Sequence, residues 1–141
     1  MEIKDIMTRS VVSIHPNESV EVAARTMTQY NIGMLPVCAN GKLCGVVTDR
    51  DIVTRCLAAS KSPNSTQVRQ VMTEQVTSVR PNMETGAAAH LMGRLQIRRL
   101  PVVEDGKLCG MVSLGDMAVR EETVIDAGDV LVDVSSNFSR R

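Results

Sequence analysis

The sequence predicts an α+β fold of two β-α-β-β-α repeats, and three observations predict it. The first is a duplication in constant register. Gly41-Lys42-Leu43-Cys44-Gly45 recurs as Gly106-Lys107-Leu108-Cys109-Gly110, 65 positions later. Without a gap the match pairs Met7-Thr8 with Met72-Thr73, Leu35-Pro36-Val37 with Leu100-Pro101-Val102, and Arg55 with Arg120. Self-similarity at a fixed period defines a repeated supersecondary unit. The second observation is Asn40-Gly41 and Asp105-Gly106, each between two apolar runs, the favoured chemistry of a two-residue type I′ hairpin. The third is Val20, Ala23, Ala24 and Met27, spaced as one face of a helix just before the first hairpin.

In chain order, residues 11–14 form a β-branched run closed by His15-Pro16-Asn17, which reads as a strand ending in a turn. Ser19 is placed to cap the helix that follows. That helix is expected to fail at Asn31-Ile32-Gly33, with Gly33 at its C-terminal position. Strands at 35–38 and 43–47 then flank the hairpin turn, and a second helix starts near Thr48. The second repeat copies the order: strand 76–79, helix 84–95, strands 100–103 and 108–112, helix from Ser113.

The division expected is repeat one at 1–57, a polar linker at 58–67 containing Lys61-Ser62-Pro63-Asn64-Ser65, repeat two at 68–121, and a C-terminal extension at 122–141. Residues 121–126 read as a continuation of the last helix and 135–141 as a mobile tail. Each repeat is small for a core of its own, so a single core shared by the halves is expected.

Composition excludes several functions. Sixteen basic and sixteen acidic residues cancel, which removes the electrostatic basis for nucleic-acid or anionic-membrane binding. Tyr30 and Phe138 are the only aromatics, so base-stacking platforms are absent. No apolar run approaches the roughly 20 residues that cross a bilayer, and Met1-Glu2-Ile3-Lys4-Asp5 lacks a signal-peptide core. Cys38, Cys44, Cys56 and Cys109 show no CxxC spacing, which fits reduced thiols in a cytoplasmic protein. His15 and His90 do not share a repeat position and neither has a second ligand at metal spacing. No nucleophile-base or paired-carboxylate arrangement recurs, so the expectation is a protein that is not an enzyme.

The chemistry-bearing element is Thr48-x-x-Asp51, repeated as Ser113-x-x-Asp116, each closing an apolar strand and opening a helix. Each is a capping box, in which the hydroxyl takes an amide and the acid reaches back. The same place offers free amides suited to phosphate and a carboxylate able to hold a ribose diol. Arg50 is a candidate phosphate fork.

Gly45-Val46-Val47-Thr48-Asp49-Arg50-Asp51 after Leu35-Pro36-Val37, and Gly110-Met111-Val112-Ser113-Leu114-Gly115-Asp116 after Arg98-Arg99-Leu100-Pro101-Val102, resemble the CBS domain family, named after cystathionine β-synthase, over residues 3–120. The resemblance implies a tandem pair, or Bateman module. Its sheets pack around a pseudo-two-fold axis with helices outside, leaving two clefts that bind adenosine nucleotides. It implies ribose contacts at Thr48, Asp51, Ser113 and Asp116, and base contacts at Val12, Ser13 and Ile14 or at Thr77, Ser78 and Val79. Met34, Arg98 and Arg99 are implied as lining of the opposite cleft.

Arg50, with Arg98 and Arg99 reaching across, would concentrate positive charge at Asp51, whereas Gly115 stands where an arginine would serve Asp116. The expected function is a regulatory module that senses AMP, ADP, ATP or a related ligand, with no required cofactor, acting on a separate regulated protein. The expected assembly is a homodimer formed through the helices, using apolar residues such as Ile52, Val53, Met117 and Ala118. The alternative is an association module with no physiological nucleotide.

Overall fold

The computed structural model describes residues 1–120 and 123–139. Two compact units are present, one comprising 12–76 and the other 1–11 together with 77–141.

In the unit of 12–76, Ser19 Oγ accepts the Val22 amide at 3.1 Å and starts helix α1 (Val20–Tyr30). α1 buries Val20, Ala23 and Met27 and ends on Asn31, which takes the left-handed conformation at φ 53°. Asparagine tolerates that region, so the stop falls two residues earlier than Gly33. Strand β1 (Met34–Ala39) pairs antiparallel with β2 (Lys42–Thr48). Asn40 and Gly41 both have positive φ, as the type I′ turn demands. β2 runs into α2 (Asp49–Asp51), which continues as a π-helical turn over Ile52–Leu57.

The other unit repeats this plan with α3 (Thr85–Leu95), β3 (Arg99–Glu104), β4 (Lys107–Ser113) and α4 (Leu114–Ala118). Asp105 and Gly106 again take positive φ. It then adds α5 (Val124–Ser139). The last helix of the repeat therefore stops at Ala118, and a separate helix follows. Thr123, almost fully buried, donates its hydroxyl to Met117 O at 2.7 Å and marks the break between them. Residues 135–139 belong to α5 and not to a tail. Glu121, Glu122, Arg140 and Arg141, which fall in the expected helix extension and tail, lie outside the described residues.

The expected first strand of each repeat is reduced to one bridging residue, Ile14 against Val37 and Val79 against Val102, both parallel. Ile14 donates to Pro36 O at 3.0 Å and accepts from Cys38 N at 2.9 Å. The rung before needs an N–H at position 36 and the rung after one at position 16. Both are proline, so the ladder cannot extend in either direction. Pro101 and Pro81 impose the same limit on Val79.

The 65-residue register extends into the leading segments. Met1 O accepts the Thr85 amide and Thr66 O accepts the Val20 amide, each satisfying an orphan donor at a helix start. Each repeat's leading segment packs in the unit that holds the other repeat. Ile3 and Ile6 belong to the core with Leu100, Val112 and Met117. Val68 and Val71 belong to the core with Leu35, Val37 and Val47. The buried apolar residues thus form two clusters, one per unit, in place of the single shared core expected. The exchanged segments require close backbone approach. A Cβ on Gly45 would lie 2.6 Å from Thr73 O, and one on Gly110 2.7 Å from Met7 Sδ.

Candidate functional site

In the unit of 12–76, β2 delivers Thr48 to the start of α2, where the capping box closes in both directions. Thr48 Oγ1 accepts the Asp51 amide at 3.0 Å, and Asp51 Oδ2 accepts the Thr48 amide at 3.0 Å. The Asp51 side chain is 14% exposed, and Oδ1 lies 3.9 Å from Arg55 Nε, beyond hydrogen-bond reach. Arg55 Nη1 also donates to Val71 O at 3.1 Å and Met72 O at 3.2 Å. Arg55 thus ties the leading segment to the carboxylate, a role its place in the repeat did not announce. Its i,i+4 spacing from Asp51 was the available signal.

Met34 pairs with Thr48 across the hairpin, half-buried. Val12 is half-buried and Ser13 exposed. Ile14 has its N–H, its carbonyl and its side chain all engaged within the unit. Arg50 is exposed, and its amide donates to Asp49 Oδ1 at 2.8 Å. Asp49 in turn donates its amide to Gly33 O at 2.9 Å. A Cβ on Gly33 would lie 2.9 Å from Asp49 Oδ2, so glycine at 33 admits this carboxylate.

The second turn has the same box. Ser113 Oγ accepts the Asp116 amide at 3.1 Å, and Asp116 Oδ2 accepts the Ser113 amide at 2.8 Å. Arg99 pairs with Ser113 across the hairpin, and Arg98 O accepts the Leu114 amide at 2.8 Å. Arg98, Arg99, Ser113 and Gly115 line a cavity of about 480 Å³ together with Val124 and Leu131 of α5. The two arginines therefore stand beside the Ser113 turn of their own unit. Helix α5, read from the sequence only as an extension, supplies much of that wall. Thr77 and Ser78 are exposed, whereas Val79 is buried and its backbone bonds Pro101 and Val103.

Of the apolar residues expected to cover a dimer face, Ile52 and Met117 are buried inside their own units, because the first helical turn points them at the strands. Val53 and Ala118 are exposed. His15 accepts the Asn17 amide at Nδ1, and His90 is exposed. Among the described residues, no three His, Cys, Asp or Glu side chains are grouped to hold a metal ion. No described helix is long and apolar enough to cross a membrane.

Two α+β units, each closing its hairpin on a hydroxyl-acid capping box, define a tandem pair of the same repeat. The CBS domain family model matches residues 3–58 and 68–131, and the chain belongs to the CBS domain family. It is 41% identical over 133 residues to the CBS domain-containing protein YhcV of Bacillus subtilis, covering 94% of each chain. It resembles the crystal structure of Hypoxic Response Protein I with two coordinated zinc ions at TM-score 0.77 and 33% identity, over 84% of this chain and 97% of that one. The CBS domain pair of protein MJ0100, solved in complex with 5′-methylthioadenosine and S-adenosyl-L-methionine, matches at TM-score 0.74 and 29% identity, over 84% and 93%.

Proposed function

We propose that this chain is a cytoplasmic regulatory module that binds an adenosine-type nucleotide, AMP, ADP, ATP or a relative, and conveys its occupancy to a separate protein without catalysis of its own. The observation that carries this reading is the state of Asp51. The cap occupies Oδ2 and leaves Oδ1 outside hydrogen-bond reach of its neighbour, on a side chain held nearly buried. A fixed carboxylate whose Oδ1 is held only by the long Arg55 ion pair at 3.9 Å suits a vicinal diol, since charge-assisted hydrogen bonds are the stronger ones. Val12, Ser13 and Met34 supply the surface for the base, and Arg50 the charge for phosphate. Thr77, Ser113, Asp116, Arg98 and Arg99 make the corresponding set in the other unit. The adenosine ligands of the MJ0100 pair support the same ligand class here.

Titration calorimetry with ATP, AMP and their 2′-deoxy forms tests the reading. Asp51→Asn should weaken binding by roughly tenfold or more, as expected for losing one hydrogen bond to a charged acceptor. Asp116→Asn tests the second turn, where Gly115 replaces Arg50 but Arg98 and Arg99 line the cavity, so a loss of similar size is expected there. The 2′-deoxy ligand should lose affinity for the wild type and little for Asp51→Asn. Equal affinities for wild type and Asp51→Asn would sink the assignment. The second reading, an association module with no physiological nucleotide, is favoured by Val53 at 56% exposure and Val119 at 83%. Failure of every adenosine nucleotide to bind would put it first.

A further inference from the structure

The hairpin of the first repeat carries two cysteines where the second carries one. β1 and β2 pair in register as far as Val37 with Gly45, and the register then shifts so that Cys38 faces Leu43. Cys44 is the extra residue of this bulge, between Gly45, which faces Val37, and Leu43, which faces Cys38, so it sits beside Cys38. Opposed residues of an antiparallel pair lie about 4.5–5.5 Å apart at Cα, inside the roughly 4.4–6.8 Å that a disulfide spans.

The second repeat shows which way these positions face. Val103 and Cys109, the counterparts of Cys38 and Cys44, line one cavity of about 660 Å³ together with Met7 and Ser78. In the first repeat, Cys44 and Ser13, the counterpart of Ser78, both act on the acidity of the Cys38 thiol. Both thiols are free and only partly buried. Cys56, by contrast, is fully buried.

We propose that Cys38 and Cys44 are a redox-active pair that closes a reversible disulfide across the bulged hairpin of the first repeat. The oxidant is a low-molecular-weight disulfide of the glutathione class. The Cys44 thiolate attacks one sulfur of the oxidant, the oxidant's S–S bond breaks, and one glutathione thiolate leaves. Cys38 then loses its proton to solvent, attacks Cys44 Sγ and expels the second glutathione thiolate. Two protein thiols are oxidised to one disulfide while the oxidant is reduced to two thiols, and a dithiol reductant reverses the exchange. Burial pushes the Cys38 thiol up, Cys44 adds to this and Ser13 opposes it. Cys38 therefore waits protonated as the resolving thiol, and closure should accelerate with rising pH.

The test is to incubate the reduced full-length chain with oxidised glutathione, count free thiols after denaturation and map the peptides by mass. The expected result is a fall from four free thiols to two, with the peptides of Cys38 and Cys44 joined. Cys38→Val, which places in the first repeat the residue the second holds as Val103, should keep the fold and trap glutathione on Cys44. Four thiols surviving in the wild type, a stable glutathione adduct on wild-type Cys44, or a bond made to Cys56 or Cys109 would each overturn the proposal.

Discussion

At the residue scale, Asp51 and Arg55 are coupled through one helical turn. Arg55 satisfies the Val71 and Met72 carbonyls while its Nε stays near Asp51 Oδ1. Arg55→Ala strands two acceptors of the leading segment and is expected to destabilise the protein by about 1–3 kcal/mol. The check is a thermal melt together with hydrogen exchange of the Val71 and Met72 amides, both of which bond Val68 O. Unchanged exchange at those amides would show that the arginine holds nothing. The capping boxes themselves were legible, because Thr48 and Asp51, like Ser113 and Asp116, meet over three residues. Arg55 was not, since its partners at 71 and 72 lie far along the chain.

At the element scale, the two hairpins are held by glycines whose need comes from a neighbouring segment. A Cβ on Gly110 would meet Met7 Sδ at 2.7 Å and Thr8 O at 2.9 Å, with backbone unable to withdraw cheaply. Gly110→Ala is expected to cost about 1–3 kcal/mol through overpacking. A Cβ on Gly128, within α5, meets nothing within 4 Å. Gly128→Ala is expected to stabilise by about 0.4–1 kcal/mol through helix propensity and unfolded-state entropy. Denaturant melts of the two variants should move in opposite directions, and equal shifts would refute the packing account. The hairpin turns and α1 were readable because Asn40-Gly41, Asp105-Gly106 and Ser19 act on their immediate neighbours. The missing first strands were readable only once Pro36 and Pro16 were seen across the same ladder.

At the scale of the whole molecule, each unit depends on a segment that precedes the other repeat in sequence. Ile3 is fully buried among Leu100, Val112 and Met117. Ile3→Ala is expected to cost about 2–5 kcal/mol and to release protection first in residues 77–141. Hydrogen exchange should find Leu100 and Val112 exchanging well before Val37 and Val47, and the reverse order would contradict the exchange of segments. Exposed Val53, Leu57, Val119 and Ile125 lead to a further expectation, since closed two-fold association is the common way to cover apolar surface. Sedimentation should show a dimer at micromolar concentration, and a monomer with and without nucleotide would exclude it.

The sequence by itself determined the duplication, both hairpins, α1, both capping boxes and the family. Each of these is written in residues a few positions apart, or in the repetition of such residues. The tertiary structure alone decided that two cores form in place of one, that Arg98 and Arg99 stand with Ser113 beside α5, and that Cys44 sits in a bulge beside Cys38. The physical reason is range. Propensity, turn chemistry and capping act within a turn of chain. Which leading segment completes which core depends on apolar surfaces brought together from distant positions, and their burial is non-directional and carries no marker in the local pattern.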